Sequence, residues 1–300
     1  MKLIITEKPS VAKSIASALG AKSGADGYFQ GNALIVSWCV GHLVSPMDAA
    51  GYDERFKKWR YDDLPILPEP FRYVLAPGKE DAFENLRTLM NRSDVDTVVN
   101  ACDAGREGEL IFRLVYEMAG CKKPVERLWI SSMEDMAIRE GMSDLRSGAE
   151  CDSLYQSALC RQKADWLVGI NATSLFSVLY HRTLNVGRVQ TPTLAMLAER
   201  DGKIMLFNKE KYHHVRLQVD GAEAVSEKFT DPTQAKQVQV ACQNGQAICI
   251  SVTRERKKEQ PPKLYDLTTL QREANRIFGY TAKQILDYAQ SPYEKKLLTY

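Results

Sequence analysis

One stretch limits what this chain can fold into: residues 98–113, Val-Val-Asn-Ala-Cys-Asp-Ala-Gly-Arg-Glu-Gly-Glu-Leu-Ile-Phe-Arg. Val95 to Cys102 is β-branched and mostly apolar, the pattern of a buried strand. From Glu107 the period changes. Leu110, Ile111, Leu114, Val115 and Met118 share one helical face, and Gly120 supplies a stop. Between strand and helix lies a short turn crowded with acids and glycines. Asp103 falls at the strand end, Glu107 at the helix start and Glu109 just inside it. In an open α/β sheet, ligands bind beyond the carboxyl ends of strands. Clustered carboxylates there, with no Cys or His among the predicted ligands, suit a hard cation such as Mg²⁺. The plainer alternative is a strand-to-helix turn with Asp as cap and Glu favoured by the helix dipole.

The amino terminus repeats this grammar. Lys2 to Thr6 is a short strand, Glu7-Lys8-Pro9-Ser10 follows, and Val11, Ile15 and Leu19 form a helix face stopped by Gly20. If the two strands are parallel neighbours, Glu7 and Asp103 converge at one sheet edge with Lys8 beside them. Residues 28–44 have the look of a strand pair, and His42 alone suggests a structural histidine. Residues 46–77 are Pro-rich and irregular. Trp59 stands there among Lys57, Lys58 and Arg60, a mixture that can stack bases and meet phosphates or simply pack as a loop. Residues 79–92 predict an amphipathic helix, Leu128 to Ser131 a strand, and Glu134 to Arg146 a helix. The alternation up to about residue 150 predicts an α/β domain with a mainly parallel sheet.

Beyond Cys151 the pattern becomes helical, with Arg161 and Asp165 four apart and able to pair. Gly187-Arg188-Val189-Gln190-Thr191-Pro192 combines a close-approach glycine, a guanidinium fork and hydroxyl and amide donors at a helix start. That suits a phosphate backbone or an ordinary helix entry. His213 to Val219 and Ala247 to Thr253 alternate like strands, with a helix between them near 231–243. Pro261-Pro262 marks a linker, and two helices follow at 268–278 and 281–290.

With 44% hydrophobic and 26% charged residues, the composition is that of a soluble globular protein. A net charge of +2 requires any nucleic-acid surface to be a local patch. Seven scattered cysteines without a CxxC argue against zinc and against a disulfide framework. No apolar run is long enough to span a bilayer, and no signal peptide is evident.

Taken in order, Glu7 to Ser10, Gly41-His42-Leu43, Asp103 to Glu109, Ala164 to Asn171, Gly187 to Pro192, Leu270 to Asn275 and Tyr293 to Tyr300 resemble the type IA DNA topoisomerases, in particular the bacterial topoisomerase III branch. The resemblance implies a Toprim metal and phosphate domain over 1–150. It also implies a helical single-stranded-DNA segment over 151–207, a β-containing arch segment over 208–260 and the start of the nucleophile-bearing domain over 261–300, parts of a multidomain toroid incomplete in this chain. It makes Tyr300 the nucleophile, Glu7 the general acid and Lys8 the stabiliser of phosphoryl oxygens. Mg²⁺ would be held by Glu7, Asp103 and Glu107. DNA contacts would come from Trp59, Arg161, Asp165, Trp166 and Gly187, Arg188, Val189, Gln190, Thr191 and Pro192.

The implied activity is ATP-independent cleavage and resealing of one strand through a 5′-phosphotyrosine. It would relax negative supercoils or decatenate DNA in the cytoplasm at the nucleoid, with no zinc and no membrane. Three departures stand out. Gly105 replaces the middle acid of the usual Asp-x-Asp-x-Glu, favouring one metal over two. Ser174 and Asn185 replace a common Arg and Ser. The chain ends at Tyr300 without the Arg that normally follows, so it is expected to be a fragment or truncated reading frame that does not relax supercoils alone. A Toprim nuclease or primase-like enzyme, or a non-catalytic DNA-binding remnant, are the competing expectations.

Overall fold

The computed structural model describes the chain except residues 24–26, 220, 244, 247, 296, 299 and 300. The expected nucleophile Tyr300 therefore lies outside the described residues, as does Ala247. The chain forms two compact units, residues 1–191 with 265–300, and residues 192–264.

The first unit opens with strand β1 (Lys2–Thr6) and helix α1 (Pro9–Ala18). The short strands β2 (Lys22–Ser23), β3 (Tyr28–Gln30) and β4 (Leu34–Trp38) follow. Strand β5 (Val44–Pro46), the one-turn helix α2 (Ala49–Tyr52) and strand β6 (Tyr73–Leu75) lead to helix α3 (Glu80–Asn91). Strand β7 (Thr97–Asn100), helix α4 (Arg106–Met118), strand β8 (Val125–Arg127), helix α5 (Asp135–Ser143) and strand β9 (Arg146–Ser147) complete the alternation. The main sheet has the order β2-β3-β4-β1-β7-β8-β9. Its centre, β4-β1-β7-β8, is parallel and its edges are antiparallel. Strands β5 and β6 form a separate antiparallel ribbon.

Both faces of the sheet are covered, which is why its central strands read as continuous apolar runs. Ile4 and Val99 pack with Val11, Ala12 and Ile15 of α1 and Ile138 of α5. On the other face, Leu3, Ile5 and Val98 meet Phe83 and Leu86 of α3 and Leu110, Ile111 and Leu114 of α4. The 28-residue helix α6 (Asp152–Leu179) adds Tyr155 and Ala158 to that second layer. Helix α7 (Gln190–Met205) crosses into the second unit.

That second unit holds the hairpin of β10 (Arg216–Val219) and β11 (Ala222–Val225), then helix α8 (Pro232–Cys242). Helices α9 (Leu267–Phe278) and α10 (Ala282–Glu294) return to the first unit. Gly279 turns the chain between them in the left-handed region, φ +72°. Among the described residues, no helix is long and apolar enough to cross a membrane.

Three expectations need correction. The strand placed at Leu128–Ser131 is β8, Val125–Arg127. Its two charges disguise it: Glu126 pairs with Lys2 at 2.5 Å, and Arg127 is buried. The helix expected to reach Arg146 stops at Ser143, because Arg146 and Ser147 pair antiparallel with β8. The partner of β10 is β11, and residues 248–253 form no strand. A turn at Gly221 (φ +82°) closes the β10-β11 hairpin over a far shorter loop than a pairing with 248–253 requires. Ala222-Glu223-Ala224-Val225 escaped notice because Ala and Glu are weak strand formers.

Candidate active site

Parallel pairing of β1 with β7 aligns Ile5 with Asn100, so both strands end at the same sheet edge. Glu7 and Asp103 stand just beyond those ends, with side chains only 14% and 15% exposed. Lys8 Nζ lies 3.8 Å from Glu7 Oε1 and 3.9 Å from Asp103 Oδ2. Burial first, and the neighbouring Asp103 carboxylate next, raise the Glu7 pKa. The Lys8 and His42 charges pull it down, while a hydrogen bond with Asp103 adds to the rise. Glu7 is thereby disposed to keep a proton where most carboxyls lose one.

This has a consequence for stability. A carboxyl with a raised folded pKa is penalised for ionising in the fold. The penalty is absent below about pH 4, the ordinary carboxylate range, and grows as pH rises through that range toward the raised value. Glu7→Gln removes it. In metal-free buffer the variant is expected to melt above the wild type at pH 7 and to converge with it in acid. A lower melting temperature at pH 7 would refute this account of Glu7.

Asp103 is carried by a turn that leans on side chains and backbone from other elements. Gly105 is the cap of α4, in extended backbone with φ −174°, and a Cβ there would meet nothing within 4 Å. Gly108 is different: a Cβ would lie 2.1 Å from the Asp103 carbonyl oxygen. Helix α4 thus seats directly on the Asp103 backbone. Beneath it, Cys102 N donates to Asn100 Oδ1 at 3.0 Å, and Asn100 Nδ2 donates to Glu109 Oε1 at 2.9 Å. Glu109 is 1% exposed and lies 2.6 Å from Nε of the equally buried Arg127. The sequence grouped Glu109 with the acids of the turn, but its place is in the interior. Arg127 was missed. The available signal was weak: an arginine directly before the apolar run Leu128-Trp129-Ile130, a place where a buried charge demands a partner.

Glu107 does not join Glu7 and Asp103. Its carboxylate is 62% exposed and Oε1 lies 2.8 Å from His42 Nε2. Among the described residues, no three His, Cys, Asp or Glu side chains are gathered to hold a metal ion. Glu7 and Asp103 nevertheless suit Mg²⁺: they are hard oxygen donors, and they crowd each other in a way a cation relieves.

His42 and Glu107 line a cavity of about 280 Å³ whose far wall is Arg161, Gln162 and Asp165 of α6. Asp165 accepts a fork from Arg188, Nε to Oδ1 at 2.6 Å and Nη2 to Oδ2 at 3.3 Å. Arg161 stands further off at 3.8 Å. The Arg188 hydrogen bond lowers the Asp165 pKa. Both partners are well exposed, so solvent screens the pair and it adds little to stability. Gly187 N donates to Thr191 Oγ1 at 3.1 Å as α7 begins, and Val189, Gln190, Thr191 and Pro192 are exposed. Trp166 packs its ring edge-on against Phe71 and Tyr52, whereas Trp59 is 39% exposed. Ser174 is fully buried.

Residues 2–133 match the Toprim domain, and residues 149–300 match the family described as DNA topoisomerase. The chain belongs to the DNA topoisomerase family. It is 42% identical over 306 residues to DNA topoisomerase 3 of Bacillus subtilis (strain 168), covering 99% of this chain and 42% of that protein. It is also 42% identical over 308 residues to DNA topoisomerase 3 of Shouchella clausii (strain KSM-K16), covering 100% of this chain and 42% of that protein. The solved full-length topoisomerase I of Thermotoga maritima superposes with a TM-score of 0.64 at 27% identity, over 97% of this chain and 46% of that one. The chain thus spans under half the length of the relatives it matches. The acids at 7 and 103 fall within its Toprim match, and Arg161, Asp165 and Arg188 within its topoisomerase match.

Proposed function

We propose that the protein acts as an ATP-independent topoisomerase of the topoisomerase III kind, cutting and resealing one strand of DNA through a 5′-phosphotyrosine. The observation that carries this reading is the convergence of Glu7, Lys8 and Asp103 at two adjacent strand ends, in a member of the DNA topoisomerase family. The Tyr300 phenol gives up its proton to solvent as its oxygen attacks a backbone phosphorus, the bond from phosphorus to the 3′ oxygen breaks, and the phosphotyrosine bond forms in its place. The departing 3′ oxygen takes its proton from Glu7, whose pKa is raised by burial and by Asp103. Lys8 faces the charge growing on the phosphoryl oxygens.

When bound, Mg²⁺ would be held by Glu7 and Asp103, with Glu107 the third candidate, and would neutralise phosphoryl charge. A proton on Glu7 weakens its carboxyl as a ligand, so the acid role and the ligand role of Glu7 oppose each other. Arg161, Asp165 and the 187–192 turn position the single strand, and Trp59 and Trp166 stand as base contacts. Reversal of the attack reseals the strand, and no ATP is consumed because the phosphotyrosine conserves the bond energy. Single-stranded and negatively supercoiled DNA are the substrates, and the bacterial cytoplasm at the nucleoid is the setting. The segment bounds given for the sequence, 1–150, 151–207, 208–260 and 261–300, are proposed as its functional parts.

The test is capture of a covalent adduct. End-labelled single-stranded DNA is incubated with Mg²⁺ and protein, quenched with denaturant and examined for label migrating with protein. The chain is assayed as it stands and completed to the length of its relatives, each beside Tyr300→Phe. Adduct that disappears in the variant supports the proposal. Metal-dependent cleavage without adduct would favour a Toprim nuclease instead.

A further inference from the structure

We propose that Arg127 is the positioning residue of this site, a buried guanidinium that sets the shape of the turn carrying Asp103. Its Nη1 donates to the carbonyl oxygens of Asn100 at 3.0 Å, Cys102 at 2.7 Å and Leu128 at 2.8 Å. Its Nη2 donates to the carbonyl of Asp103 at 2.7 Å, and Nε faces Glu109 at 2.6 Å. The Trp129 ring lies under the guanidinium, 5.0 Å from centroid to Cζ.

The need for such a clamp follows from where β7 stops. The strand ends at Asn100, yet Ala101 and Cys102 remain buried, so the carbonyls of the next residues must find donors inside the protein. The turn that follows runs to Gly105, the cap of α4, and has no regular ladder of its own. A single planar fork reaches four carbonyls at once, which the point charge of a lysine cannot do. Stability alone does not explain the pair. A buried ion pair is often no better for stability than apolar residues of the same volume. What Arg127 adds is a fixed direction for the Asp103 carboxylate relative to Glu7 and Lys8. The inference rests on Glu7 and Asp103 being the reacting edge.

The test uses the full chain and two variants. Arg127→Lys keeps the charge and loses the fork. The paired variant Arg127→Met with Glu109→Leu removes both charges, so neither is left buried alone. Three quantities are measured: melting temperature, Mg²⁺ affinity by calorimetry, and amide hydrogen exchange at 102–108 against β1 and α3. At least one variant is expected to keep wild-type protection in β1 and α3. In that variant exchange at 102–108 should rise at least tenfold and Mg²⁺ affinity should fall about 10–100-fold, the usual cost of losing a residue that orients a metal ligand. Wild-type exchange at 102–108 in both variants overturns the proposal, and so does protection lost evenly across the core in both. If the wild-type chain binds no Mg²⁺, the metal reading of Glu7 and Asp103 fails. The exchange comparison then still decides whether Arg127 holds the turn.

Discussion

Alanine at position 108 is expected to destabilise the protein by about 1–3 kcal/mol or more, and to cripple the site before it unfolds the core. The added carbon would sit 2.1 Å from the Asp103 oxygen, 2.9 Å from its nitrogen and 3.0 Å from its carbonyl carbon. All three are backbone atoms, so no side chain can rotate away. Either α4 lifts off the turn or the turn moves Asp103 away from Glu7. Helix propensity pulls the other way, favouring Ala over Gly by roughly 0.8–1 kcal/mol, but it is outweighed by a contact well inside van der Waals distance. Gly105→Ala is the control. Its Cβ would enter open space on extended backbone, so a change within about 0.5 kcal/mol is expected. Urea unfolding of the two variants checks the contrast. Equal midpoints for both would show that α4 does not seat on the Asp103 carbonyl.

Glu109→Ala is expected to be costlier still, about 3–5 kcal/mol, because it leaves Arg127 charged, buried and without its carboxylate. Asn100 loses an acceptor at the same time. Arg113, which lies 3.5 Å from the other Glu109 oxygen, keeps Asp152 and the Gly148 carbonyl and is less affected. At about 2–4 °C per kcal/mol for a domain of 150–250 residues, the melting temperature should fall by roughly 6–20 °C. A fall of less than about 2 °C would mean that Arg127 finds other partners or water, and that the pair is not sealed.

The residues that the sequence brought to light and those it hid divide on physical grounds. Strands β1 and β7 and helices α1 and α4 were legible because their apolar spacing and glycine stops are local signals. Glu7, Lys8 and Asp103 followed, because parallel neighbours place their strand ends together. What stayed hidden are pairings across long stretches of chain. His42 and Glu107 are 65 residues apart, and Arg127 lies in a different strand from the turn it holds. Asp165 offered Arg161 one helical turn away, yet its closer partner is Arg188, 23 residues on. The buried charge of Arg127 also displaced β8 in the sequence reading, since a charged residue inside a sheet suggests a loop.

Glu7 and Asp103 leave the sheet from neighbouring parallel strands, not from one loop. The spacing of the two strands that lead to them is fixed by the sheet, about 4.8 Å from strand to strand. Ninety-odd residues of intervening chain can gain or lose length without altering it, provided β1 and β7 keep their register. A one-residue slip between those strands would do what no loop insertion can. It would draw one carboxylate about 3.3 Å back along the sheet and turn its side chain to the opposite face.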